Sequence, residues 1–289
     1  RSCGYVPQGG GETLGRRRRH RSMRTVVVTD SSGRPSRSPA AQAVVVVPIT
    51  ILLADRQVPD DQIDPLVVDE ALARGEPIKT RAPGVIDYLD AVESTDAQAA
   101  VILTPAAELT AMWRHASHTP WLADRPVTVV DTRTAASGQA LVAEAAAEVA
   151  LDANGSLADV VAAARAAAGR ARVLGAVGTA EPLVAAGMVE LERGRGRPTI
   201  FEARQGMIEP LRVLDGEDPV TALADLYGRQ RGAGDPVAFT GAGAGRGVQA
   251  MAERLAGLIG SHRPPEVCSA AMTVYTGRGV IGIAWLDRA

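Results

Sequence analysis

At 289 residues the chain is long enough for two cores, and 46% hydrophobic residues against 22% charged ones fill them easily. A net charge of -2 gives no general attraction to nucleic acid or to an anionic membrane surface. Aromatics are only 3%, so the core is built mostly from Ala, Val, Leu and Ile, and no stretch reaches the length of a membrane span.

Residues 1–22 carry six arginines against Glu12, a net of +5, which leaves 25 basic against 32 acidic residues in the remainder. This Gly- and Arg-rich piece has no hydrophobic period and reads as a disordered basic tail outside the fold. Its run "RRRRHR" suits nucleic acid, but an upstream extension is the plainer reading, because Met23 opens the first strand-like run. A signal peptide needs an apolar segment after the basic run, and "MRTVVVTDSS" is too short for one.

From Met23 strands alternate with helices. "RTVVVTD" (24–30) is a short apolar run, as a buried parallel strand would be. "AVVVVPITILL" (43–53) is a second strand region interrupted by Pro48, which cannot donate to a ladder and marks an edge or a bend. "DDQIDPLVVDEALARG" reads as a helix stopped at Gly75, and "GVIDYLDAVE" as another that begins near Pro83. "AQAAVILT" (97–104) is a strand before the helix-like "AAELTAMWRHAS". "RPVTVVDT" (125–132) is a strand before a long Ala-rich helix that ends at Gly155. Such βαβ units predict a parallel sheet with helices on both faces, over 23–155.

A second unit, 156–289, opens with the helix "SLADVVAAARAAAGRA", capped by Ser156. "RVLGAVG" is a strand, "EPLVAAGMVE" a short helix, and "TIFEARQGMIEPLRVLDGED" a hairpin. "DPVTALADLYGRQR" and "GRGVQAMAERLAGLIGSH" are helices on either side of the strand "DPVAFTG". "EVCSAAMTVYTGRGVIGIAWL" (266–286) reads as two strands around a Gly-rich turn. Adjacent strands without helices between them predict a mixed sheet here, so the expected architecture is two α/β domains of different topology.

Familiar catalytic signatures are missing. "GAGAGRG" (241–247) sits between strand and helix, but Arg246 and Val248 stand where a dinucleotide fingerprint needs glycine, and no P-loop Lys follows. It reads as a surface loop. His115 and His118 lie three apart on an expected helix with no Cys, Asp or Glu at matching spacing, which favours a solvated face over zinc. No cofactor is expected. Cys3 and Cys268 make no disulfide framework, which suits a reducing cytoplasm. Asp30 with Ser31, and Asp131 with Thr132, end the first and fourth strands, where ligands bind in parallel sheets. Such residues also make ordinary turns. Thr80 and Arg81, in "GEPIKTRAPGVIDYL" (75–89), stand at an expected helix mouth, either an anion seat or an ordinary cap.

In this order the segments resemble the DegV family of bacterial fatty-acid-binding proteins. "VVVTDSSG" matches the family's "TDS" opening, and "VVVVPITI" its "VPL"-type strand. "KTRAP" (79–83) meets "K-T-S-Q-P", "VVDTRTAASGQ" meets the "VDS" plus glycine segment, and "YTGRG" (275–279) meets "H-T-G-P-G". The resemblance covers nearly all of the chain after Met23. It implies two α/β domains with an acyl chain buried between them and its carboxylate held by polar groups at loop ends. It also implies a partner, an ATP-dependent kinase subunit that makes the acyl-phosphate, while the binding protein itself holds no ATP and catalyses nothing.

The departures fall on the polar groups. "AAELTAM" (106–112) meets the hydroxyl-rich "S-S-x-L-S-G-T", with Ala106 and Ala107 for serines, Thr110 kept, and Ala111 and Met112 for Gly and Thr. Arg81 replaces a serine, Tyr275 a histidine, Arg278 a proline, and Glu209 the lysine of "I-K-P". "K-G-G-R-I" is met only loosely by "AAGMVE" (185–190). The resemblance places the head-group site at Thr80, Arg81 and Thr110, with Asp30, Ser31, Tyr275, Thr276 and Arg278 around it. A buried carboxylate without donors costs several kcal/mol. Either Arg81 and Arg278 compensate through their guanidiniums, or the site has lost its fatty acid and the chain is an interaction or regulatory module. Met112, Met188, Met207 and Met272 are candidates for the tunnel wall, with core packing as the alternative. An enzyme is the weakest reading, since His115, His118 and His262 have no matching nucleophile.

Overall fold

The computed structural model describes residues 25–35, 38–152, 155–191, 195–230, 233–241 and 245–288. The basic tail and the middle of the "GAGAGRG" segment lie outside the described residues. In chain order the first half forms β1 (Thr25–Asp30), β2 (Val44–Val47), β3 (Thr50–Leu52), β4 (Gln57–Pro59), α1 (Pro65–Ala73), β5 (Lys79–Arg81) and α2 (Val85–Glu93). It continues with β6 (Ala99–Thr104), α3 (Met112–Ala116), β7 (Val127–Asp131), α4 (Ala136–Leu151) and α5 (Leu157–Arg170). The second half forms β8 (Ala171–Val177), α6 (Glu181–Ala185), β9 (Thr199–Arg204), β10 (Met207–Val213), α7 (Pro219–Gly228) and β11 (Val237–Thr240). It ends with α8 (Arg246–Leu258), β12 (Glu266–Val267), α9 (Ala270–Thr276) and β13 (Ile281–Leu286).

The apolar runs Thr25–Asp30 and Ala99–Thr104 are buried along their whole length, because both faces of their sheet are covered. That sheet is parallel, in the order β2-β1-β6-β7. The Ala-rich helices α4 and α5 cover one face, with Ala143, Ala146 and Ala164 fully buried against Val27, Val101 and Leu103. Tyr88 and Val92 of α2 and Ala116 at the end of α3 cover the other against Val26, Val28 and Ile102. Helix α5 therefore packs into the first domain's core, although the division at 155/156 places it in the second.

The second sheet is mixed, in the order β10-β9-β8-β13-β11-β12. All its pairings are antiparallel except β11 with β12. Side chains of β8 alternate, as a strand requires. Leu174 and Ala176 pack under α7 and α8 with Trp285. Val173 and Val177 face the opposite way, in a cluster with Phe201 and Phe239.

Three local expectations are corrected. The segment 43–53 divides at Pro48: β2 is an edge of the parallel sheet, while β3 joins a separate antiparallel sheet, β4-β3-β5. Thr80 and Arg81 lie on strand β5, not at a helix mouth. Helix α2 begins where expected, just after Pro83, with Gly84 as its N-cap and the Asp87 carboxylate accepting from Gly84 N at 2.7 Å. Residues 270–276, expected as strand, form helix α9, whose buried Ala270, Ala271 and Thr273 outweigh the β-branched character of "TVYT".

The two domains meet along α4. An added Cβ at Gly138 would lie 2.6 Å from Val173 Cγ2 on β8, so only glycine lets the helix approach that closely. Among the described residues two ion pairs cross the junction. Arg263 binds the buried Glu144 through both guanidinium nitrogens at 2.8 and 2.9 Å, and Arg278 binds Asp69 at 2.9 and 3.0 Å. The β9–β10 hairpin tip reaches back to the loop after β7, with Gly206 N donating to Arg133 O at 2.7 Å.

Candidate functional site

The face of the second sheet turned toward α4 does not close on its neighbours. Val173, Gly175 and Val177 of β8, with Phe201, Ile208 and Phe239, wall one side of an internal cavity. Ile49, Leu109, Met112 and Ala136 of the first domain wall the other. The space not filled by atoms, open mouth included, is about 900 Å³. A Cβ at Gly175 would have nothing within 4 Å, so this strand position is left open toward the cavity. Met112, Met188 and Met272 line the space, whereas Met207 is exposed on β10.

Polar side chains in the lining are few: Ser32, Thr110, Tyr275 and Thr276, with the thiol of Cys268. Tyr275 on α9 shares a hydrogen bond with Thr80 Oγ1 on β5, joining the two domains at the rim. Thr110 Oγ1 accepts from Met112 N at 2.9 Å, and Thr276 Oγ1 donates to Met272 O at 2.9 Å. The structure thus brings Thr80, Thr110, Tyr275 and Thr276 together. Ala106, buried, and Ala107 add no hydroxyl.

The two arginines take other partners. Arg81 is exposed, with one terminal nitrogen donating to Gln57 Oε1 at 2.9 Å and the other to Thr50 Oγ1 at 3.4 Å. Arg278 is committed to Asp69. Neither lines the cavity, and its described lining contains no ionisable side chain other than Cys268 and Tyr275. Burial pushes the Cys268 thiol up to about 12, which keeps it neutral.

The strand-end acids are structural here. Asp30 is buried and accepts from Ser32 N at 3.0 Å, from Ser32 Oγ, and from Gln139 Nε2 at 2.8 Å. Burial pushes its carboxyl above the usual range despite those bonds. Asp30 thereby fixes Ser32 at the cavity wall, while Ser31 turns away to donate to Asp60 Oδ2 at 2.8 Å. Asp131 accepts from Arg133 N at 2.8 Å, and Thr132 Oγ1 donates to Thr104 O at 2.8 Å. His115 Nδ1 bonds Pro83 O at 2.8 Å, and none of His115, His118 and His262 lines the cavity. Among the described residues no cluster of three or more His, Cys, Asp or Glu is placed to hold a metal.

Sequence reasoning missed the wall residues Gly175, Phe201, Ile208 and Phe239. A signal was present in "RVLGAVG", where one face of the strand reads Val173, Gly175, Val177 with a glycine in the middle.

Comparison with known proteins matches this arrangement. Solved structures share the fold over nearly the whole chain. A DegV family protein from Thermus thermophilus, described for its fatty acid binding, is 21% identical with a TM-score of 0.77, covering 92% of this chain and 100% of its own. The Streptococcus pneumoniae fatty acid kinase (Fak) B3 protein, loaded with linoleic acid, is 22% identical with a TM-score of 0.76 and the same coverage. A DegV family protein from Eubacterium eligens, loaded with heptadecanoic acid, is 17% identical with a TM-score of 0.78, covering 91% of this chain and 100% of its own. No curated protein matches. The family model described as "Uncharacterised protein, DegV family" matches residues 24–195, more than half of the sequence, and the chain belongs to that family.

Proposed function

We propose that the chain binds a long-chain fatty acid in the cavity between its domains and presents the carboxylate to an ATP-dependent kinase subunit. The observation that carries this is the distribution of polarity: an almost wholly apolar cavity lining with hydroxyls gathered toward Thr80 and Tyr275. Each methylene buried in such a space contributes about 0.8 kcal/mol, so the tail supplies most of the affinity. Thr80, Thr110 and Tyr275 donate hydrogen bonds to the head group, without a guanidinium, while the Thr276 hydroxyl stays on Met272 O. The streptococcal relative, named as a fatty acid kinase protein and loaded with linoleic acid, supports both ligand and partner. The chain then acts as a carrier and performs no step on the acyl group itself. A cytoplasmic location fits this role, and among the described residues no helix is long and apolar enough to cross a membrane.

Arg81 and Arg278 lie outside the lining, which favours hydroxyl compensation over charge compensation and keeps alive the reading of a module that has lost its ligand. Native mass spectrometry of the purified protein, before and after delipidation and reloading with octadecanoate, separates the two. A bound acyl chain is expected. An empty protein that takes up no added fatty acid ends the proposal.

A further inference from the structure

The apolar cavity turns a corner, and the corner is built across four neighbouring strands. Gly175 on β8 stands opposite Phe201 on β9 and Gly282 on β13, and Gly282 stands opposite Phe239 on β11. Strand alternation puts all four on the face turned toward α4, where Phe201, Gly175 and Phe239 line the cavity. The two glycines differ in what lies over them. A Cβ at Gly282 would run into the Phe239 ring, whereas one at Gly175 meets nothing within 4 Å. The Phe239 ring thus covers Gly282 and walls one side of an open notch at Gly175.

The path to that notch follows β8 inward from the rim. Gly178, just past the end of β8, lies at the rim, because a Cβ there would be 3.9 Å from Arg278 O in the loop after α9. From Gly178 to Gly175 is three residues, about 10 Å of strand. The next residue on the same face, Val173, ends the straight course, because α4 comes down on it at Gly138. On one side the Phe239 ring bars the way. On the other, Phe201 and Ala203 of β9 and Ile208 of β10 continue the lining. From Gly175 to β10 is two strand spacings, again about 10 Å. The space therefore has two limbs of similar length that meet at Gly175. A staggered chain of carbon–carbon bonds of about 1.5 Å advances about 1.25 Å per carbon, so each limb holds about eight carbons.

We infer that Gly175 and Phe239 select a chain bent at its middle, making a fatty acid of about eighteen carbons with a cis double bond near the ninth the preferred ligand. This deepens the lipid-binding reading and rests on it, with the carboxylate at Thr80 and Tyr275. The cis bond sets its bend in the notch, and the methyl-end half runs past Phe201 toward Ile208. A saturated chain reaches that shape only by fixing several torsions in bent rotamers, whereas the cis bond enters with the bend already made. A trans double bond is as rigid but straight, and it runs into Val173 under α4.

The test compares octadecanoate, trans-9-octadecenoate and the cis-6, cis-9 and cis-13 octadecenoates by calorimetry on the delipidated protein. The cis-9 acid is expected to bind about tenfold tighter than octadecanoate and the trans-9 acid, and about fivefold tighter than the other two cis acids. Gly175→Ala puts a methyl group into the notch and should cut the ratio of cis-9 to trans-9 affinity to below about threefold. A glycine needed only for the strand would move stability and leave that ratio alone. If the variant does not fold, the comparison on the unaltered chain decides. Equal binding of cis-9 and trans-9, the same gain for all three cis positions, or a ratio that survives Gly175→Ala overturns the inference while leaving lipid binding intact. Failure of every chain to bind overturns the lipid reading and the inference with it.

Discussion

Filling the space in front of Gly175 gives a sharp test of the cavity. The residue sits mid-strand on β8, paired with Gly282 and Phe201, and a Cβ there meets nothing within 4 Å. In Gly175→Leu the new side chain occupies volume that an acyl tail would use. A leucine displaces about three methylenes, and at about 0.8 kcal/mol each the ligand loses about 2.4 kcal/mol. That is about sixtyfold in Kd. The empty protein should not suffer, because glycine in a strand is worth about 0.5–1 kcal/mol less than a residue with a side chain, and the leucine gains apolar contacts. The assay pairs calorimetry of octadecanoate binding with thermal unfolding of the delipidated protein. Weakened binding together with unchanged or raised apo stability is expected. An unchanged Kd refutes the placement of the tail, and apo destabilisation beyond about 2 kcal/mol refutes the open space itself.

Further outcomes follow from the rim and the junction. Arg81→Ala should leave octadecanoate affinity within about twofold, since its guanidinium is committed to Gln57 and Thr50; a tenfold loss by calorimetry would restore it as the carboxylate anchor. Tyr275→Phe removes the hydroxyl shared with Thr80 and should weaken binding about tenfold, read by competition against a fluorescent fatty acid. Arg263→Met leaves Glu144, at 7% side-chain exposure, without its bidentate cation, and should cost about 3 kcal/mol in urea unfolding. Asp60→Asn tests the pH dependence. Because burial raises the folded-state value of Asp60, its ionisation costs stability as pH climbs from 3.8 through the raised value. The asparagine variant should therefore show a flatter fall over that window, and identical slopes in urea titrations would contradict the assignment.

Much of the fold was legible because its signals are local. "TVVVTD" and "AAVILT" announce buried parallel strands, Ser156 caps α5 as its position implies, and 199–213 is a hairpin. The small sheet was not legible: "TIL", "QVP" and "KTR" are three residues each, too short to show a period, and they pair only through tertiary contacts. The same limit applied to the site. Thr80 and Tyr275 each sit in a short motif, but their hydrogen bond spans 195 residues. The fates of the arginines were hidden for that reason too. Arg278 finds Asp69 across 209 positions, and no local pattern distinguishes an ion pair between domains from a head-group anchor.

The junction of α5 and β8 bears on how a ligand gets in and out. The helix ends at Arg170 and the strand begins at Ala171, so the two domains are joined with no intervening linker. The C-terminal segment clamps that joint: Asp287 N donates to Arg170 O at 2.8 Å, and the Arg170 side chain donates back to Asp287 O at 3.1 Å. A carrier built this way has no slack to swing its halves apart. For the proposed lipid carrier, exchange of cargo would then fall to the rim and the hairpin tip rather than to a hinge between the domains.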